Sequence, residues 1–201
     1  MTCSYWLGGA IALALMMPAA AQDAPRKIFR GEVASLDGQM LGVKTKDGQT
    51  VSVTLTPDWR VRVVVPIGVE AIHTGSFIGT AQVPDADGVG RSLEVHVFPP
   101  GVKSGEGDRP WDSQPGARMT NGTVTGEVIA DAKGRSLTLT YPGGSRKIVI
   151  PPDVPVVQFN PAQHADIKPG VQVFIVAMGD GSSGWKTNNI AIGQNGAAPP
   201  M

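Results

Sequence analysis

The sequence has one cysteine, Cys3, and three histidines, and aromatic residues make up only 5% of its 201 positions. A single thiol excludes an internal disulfide. His73, His96 and His164 are not spaced two or four residues apart as paired ligands on one element would be, so a structural zinc site is excluded and no metal or other cofactor is expected. Lys plus Arg and Asp plus Glu are equal at 17 each, which leaves no overall charge to attract nucleic acid or an anionic membrane surface. Stacking platforms for single-stranded nucleic acid are missing too. Leu41, Val43, Val51, Val53 and Leu55 include no aromatic, and the matching part of the second half adds only Tyr141. The longest apolar run, from Ala10 to Met17, is well short of the roughly 20 residues of a membrane span, so the mature protein is expected to have none.

What the sequence does have is enough apolar material to fold, 41% hydrophobic against 17% charged, and a high content of Gly (26) and Pro (17). That balance suits many short strands and turns, an all-β chain. The apolar run ends at Pro18 and is followed by Ala19-Ala20-Ala21, the small-residue pattern read by signal peptidase, although Met1 to Gly9 carries no Lys or Arg. Residues 1–21 are therefore expected to be a signal peptide cleaved after Ala21, delivering the rest to the periplasm or outside the cell. Cys3 precedes the apolar run, so it cannot be a lipid-modified cysteine at the cleavage site.

The two halves of the chain repeat one another. Gly31-Glu32-Val33 recurs as Gly126-Glu127-Val128, 95 residues on; Leu41 and Val43 recur as Leu137 and Leu139 after a one-residue insertion. Val53, Leu55, Pro57 and Asp58 then match Ile148, Ile150, Pro152 and Asp153, and Ile72, Gly75, Val95 and Val97 match Ile167, Gly170, Ile190 and Ile192. Apolar positions and turn residues repeat together, which marks a duplication. The expected segments are a first repeat at 26–98, a linker at 99–120, a second repeat at 121–193 and a flexible tail at 194–201.

Within each repeat, apolar residues alternate with polar ones at period two, the pattern of strands with one buried face. Asp47-Gly48 and Gly143-Gly144 supply hairpin turns between the second and third strands. A first strand over 28–36, a fourth over 76–83 and a fifth over 92–98 bring the total to five per repeat, with at most a single helical turn before the fourth. Five short strands suit a small OB- or SH3-like barrel, because closure removes exposed edges. The expectation is two tandem barrels, with a sandwich spanning both repeats as the alternative.

Catalytic patterns are sparse. There is no Gly-x-Ser-x-Gly elbow, and no serine is tied to a histidine and a carboxylate by its context. Glu32 and Glu127 are a duplicated carboxylate pair, but equivalent positions in copied domains share one environment, whereas acid and base roles need different ones. Asp58 and Asp153 follow prolines as turn residues do, and Asp85-Ala86-Asp87-Gly88 starts like a calcium loop without its later ligands. His96 alternates with Val95 and Val97, which suits a solvated strand histidine.

The segment 99–120 contains Gly105-Glu106-Gly107-Asp108-Arg109-Pro110-Trp111-Asp112, followed by Met119-Thr120-Asn121-Gly122-Thr123-Val124, and the chain ends Pro199-Pro200-Met201. In these motifs the chain resembles an uncharacterised family of exported bacterial proteins with tandem OB-like domains, sometimes labelled metal ABC transporter permease. The resemblance implies a fold and no established activity, and Asp108 stands where that family commonly has histidine, which counts against a metal role there. A permease needs several apolar spans, so the label does not fit. The expected function is non-enzymatic: a binding or interaction module of the cell envelope, with an envelope protein or a glycan as partner. An accessory protein for a small solute or metal is the alternative, and a hydrolase the remote one. Arg109, Trp111 and Asp112 are the candidate binding or linker-anchoring residues, with Trp111 expected to pack at the seam between the barrels.

Overall fold

A computed structural model describes residues 25–132, 134–179 and 184–200; the expected signal peptide and Cys3 lie outside them. The strands are β1 (Arg26–Asp37), β2 (Met40–Thr45), β3 (Thr50–Pro66), β4 (Phe77–Pro84), β5 (Gly90–Val97) and β6 (Gly107–Pro110). They continue with β7 (Arg118–Asp131), β8 (Gly134–Tyr141), β9 (Gly144–Ile150), β10 (Val156–Ala162), β11 (Gln172–Met178) and β12 (Trp185–Gly193). The described residues add only single 3-10 turns, at Val69–Ala71, His164–Asp166 and Gln194–Gly196. The protein is all-β, and the turns at 69–71 and 164–166 stand just before the fourth strand of each repeat.

The strands run in the order β12-β11-β1-β2-β3, and a parallel β12–β3 ladder closes them into a five-stranded barrel. Alternation drives closure. Leu41, Val43, Val53 and Leu55 point inward at no more than 1% exposure and meet Ile175 and Ile190 from β11 and β12. Each such side chain contributes roughly 1.5–3 kcal/mol of burial. A second circuit runs β5-β4-β7-β8-β9 and returns through a short parallel ladder, Gly90 to Ile148 and Arg91 to Val149. Ile78, Val95, Leu139 and Ile148 fill it. Gly48 (φ 82°) and Gly143 (φ 90°) turn the two β-hairpins at the expected places.

The rings do not follow the expected division of one barrel per repeat. Each takes three consecutive strands from one half of the chain and two from the other. β3 is long, with 17 residues at about 3.3 Å each: Thr50 to Thr54 pair with β2, and the strand runs on well past them. Its second half stays in the first ring, paired parallel with β12 from Arg60 to Val64, and along its other edge pairs antiparallel with β10, placing Val64 opposite Phe159. These two residues stand 95 positions apart, the offset of the expected repeat. The arms cross there, and each carries its final hairpin into the opposite ring.

The ladders also correct the repeat alignment at its start. Val33 pairs with Val43, and Val124, not Val128, pairs with Leu139. Gly122-Thr123-Val124 is thus the counterpart of Gly31-Glu32-Val33. The glycines have a shared reason. A Cβ on Gly31 would lie 2.1 Å from the Lys44 carbonyl oxygen and one on Gly122 would lie 2.7 Å from that of Thr140, so only glycine fits. Gly126 is exposed at φ 71°, where the β7–β8 register slips between Thr125 and Ile129. The stretch 99–120 is also more than a linker, since β6 lies within it and pairs with the start of β7.

A candidate binding cleft at the seam of the two rings

The outer face of β4, β5 and β7 in the second ring looks across the crossing arms at the outer face of β1, β11 and β12 in the first. Between them lies a cleft of about 290 Å³. Its first-ring side is Phe174, Val176 and Ala191; Phe159 of β10 and Phe98 also line it. His96, Asn121 and Arg109 line it from the second-ring side. Arg26 and Arg62 are at its edge, and among the described residues its lining includes no acid.

Strand pairing brings the polar side together. Gly79 sits opposite His96 on β5 and Asn121 on β7, so all three face the same way. A Cβ on Gly79 would lie 2.0 Å from His96 Nε2 and 2.5 Å from Asn121 Oδ1, so the missing side chain is what makes room for both. His96 is 4% exposed and its Nδ1 is 3.3 Å from Oε1 of Glu94, itself 2% exposed. The imidazole is held edge-on against Phe98 and Phe159, with ring centres 5.1 and 5.4 Å away. Asn121 donates from Nδ2 to the Ser104 carbonyl at 2.9 Å, which turns Oδ1 away from the loop and leaves it buried without a donor. Buried acceptors of this kind are rare in folded proteins.

Arg109 reaches the same corner. Its guanidinium donates to the Gly105 carbonyl at 2.7 Å, while Nε is buried without an acceptor. Burial, and then the charge of Arg26, pull its pKa below the usual arginine value, with Asp108 partly opposing them. Among the described residues, Arg26, Arg62 and Arg109 form no salt bridge.

Trp111 is partly buried and packs with Val64, Val157, Phe174 and Ala191 at the seam. It also borders the cleft. Asp112 takes a different path, accepting two 2.8 Å hydrogen bonds from Arg30, which hold its carboxyl below the usual carboxylate range despite partial burial. Asp108 ties β6 to the second ring, accepting from Thr120, Arg118 and Arg146 at 2.7 to 2.9 Å. Burial raises its pKa, but those three donors outweigh burial and the net shift is downward.

The expectation of a solvated His96 is wrong: alternation identifies a face pointing out of its own ring, and here that face is covered by the other ring. His73 is exposed in a loop, and His164 stacks on Trp59 with ring centres 3.7 Å apart. Asp85 accepts from the backbone N–H groups of Asp87 and Val89, an ordinary turn. Glu32 is 3.3 Å from Lys44, and its ladder counterpart is Thr123, so the Glu32 and Glu127 pair is not a structural duplicate. Among the described residues no three His, Cys, Asp or Glu side chains gather to hold a metal ion, and no helix is long and apolar enough to cross a membrane. No family model, no curated protein and no solved structure matches the chain.

Proposed function

We propose that the protein is a non-enzymatic binding module of the cell envelope, exported by its first 21 residues, and that it holds a small solute in the cleft between its rings. One observation carries this reading: His96 and Asn121, each 4% exposed, turn polar atoms into a concave space floored by aromatic rings. Concave, mainly apolar sites with a few convergent polar groups are where small ligands bind. This favours a solute over an envelope protein or a glycan as the partner. The strand order in each ring, with first and fourth strands antiparallel and third and fifth parallel, supports assigning the rings to the OB type.

The test is to purify the full chain from periplasm, denature it and analyse the released small molecules by mass spectrometry beside His96→Ala. A solute carried by the parent and lost from the variant is expected. Identical sets from both proteins would contradict the site.

A hydrolytic reading has one observation in its favour, the imidazole held by the Glu94 carboxylate at the cleft wall, which resembles the base half of such a site. Ser104 also borders the cleft. Ester hydrolysis abolished by His96→Gln would support it, and turnover unchanged by that substitution would exclude it.

A further inference from the structure

Building on the cleft as a solute site, we infer that its ligand is a small organic carboxylate with a hydrogen-bond donor beside the carboxylate and one flat apolar group, the chemistry of an aromatic 2-hydroxy acid. The polar groups form a line. A Cβ on Gly105 would lie 3.1 Å from an Arg109 guanidinium nitrogen and 3.3 Å from Asn121 Nδ2, while the Gly79 position brings Asn121 Oδ1 beside His96 Nε2. Asn121 therefore bridges a cation at one end and an imidazole at the other.

Two members of that line each lack a different partner. Arg109 is a crowded, partly desolvated cation whose Nε has no acceptor, and Arg26 and Arg62 add positive charge at the same rim. A carboxylate supplies the acceptors and the opposite charge, and its two oxygens match a guanidinium fork. Asn121 Oδ1 lacks a donor, and a hydroxyl next to the carboxylate would supply it. The facing surface, Phe159, Phe174 and Ala191, offers only apolar contact, which suits a flat hydrocarbon group. At about 290 Å³ the cleft is at the lower end of ligand sites, enough for a one-ring molecule.

Four probes separate these features by calorimetry on the full chain: 3-phenyllactate, its amide without the charge, 3-phenylpropanoate without the hydroxyl, and lactate without the ring. Phenyllactate is expected to bind most tightly, with each of the others weaker by about tenfold or more. Arg109→Gln should bring the acid close to the amide, with the remaining preference coming from Arg26 and Arg62, and Asn121→Ala should make the hydroxylated and deoxy acids equal. Arg62→Gln, at the rim, should weaken the acid alone and serves if Arg109→Gln does not fold. An amide that binds the parent as tightly as the acid would overturn the inferred ligand class while leaving the cleft as a solute site. Failure of all four probes, with a co-purifying solute that carries no carboxylate, would overturn the class in the same way. Failure of all four with no co-purifying solute would overturn the solute site itself.

Discussion

At equivalent ladder positions the first ring carries Phe29, Phe174, Ala191 and Trp185, and the second carries Thr120, Gly79, His96 and Gly90. One consequence lies inside the rings. Phe29 and Trp185 pack edge to face at 5.8 Å with Lys27 over both, an aromatic plug for the first ring. In the second ring that space is polar: Thr80 bonds to Ser92, and Gln82 bonds through Thr120 to Asp108 and its two arginines. The other consequence lies outside, where Phe174 and Ala191 make an apolar wall and Gly79 and His96 make a polar recess. The two rings thus differ in side chains at matching ladder positions, and the seam sets an apolar face of one against a polar face of the other.

The largest effects should come from cutting into either interior. Leu41→Ala and its counterpart Leu137→Ala are each expected to cost about 2–5 kcal/mol in urea unfolding. Because each ring takes strands from both repeats, both variants should unfold in one transition. Two separated transitions, with only one shifted by each substitution, would break the exchanged arrangement.

Giving the first ring the residue of the second, Phe29→Thr, removes the aromatic plug and should cost about 3 kcal/mol by the same measurement. Trp111→Ala should cost about 2 kcal/mol, below the value for a fully buried ring, since Trp111 is only partly enclosed. Stability equal to the parent would show that the ring does not anchor the segment.

Asp108→Asn should cost about 1.5 kcal/mol at neutral pH by weakening charge-assisted hydrogen bonds. Its carboxyl is held below the usual value in the folded state, so its contribution is complete above the unfolded pKa near about 4 and fades as pH falls through the folded one. The gap between parent and variant should close in acid. A gap that persists there would mean that the carboxylate charge contributes nothing.

Much of the fold was legible in residues. The alternation at Leu41, Val43, Val53 and Leu55 and the turns at Gly48 and Gly143 identified strands and hairpins, because burial and positive φ leave direct marks on sequence. The exchange left none. Which hairpin completes which ring is set by pairing between strands far apart in the sequence, β1 with β11 and β4 with β7. The Gly-Glu-Val match misled because it followed identity, whereas the register follows the buried valines and the glycines that meet a carbonyl. Trp111 and Arg109 stood out as a large ring and a cation in a Gly-rich stretch. His96, Asn121 and Gly79 did not, since their association depends on pairing between β4, β5 and β7 and on the other ring covering them.

The central claim is that the polar recess of the second ring makes the cleft a binding site. His96→Ala tests it most directly, because alanine is already the residue at the equivalent strand position, Ala191, and the fold accommodates it there. The measurement is calorimetric titration of parent and variant with the solute that co-purifies with the parent, beside urea unfolding of both. The account predicts binding weakened at least about tenfold, the loss expected for a buried hydrogen-bonding group, with the variant still folded and unfolding in a single transition. Undiminished binding by the folded variant would contradict it.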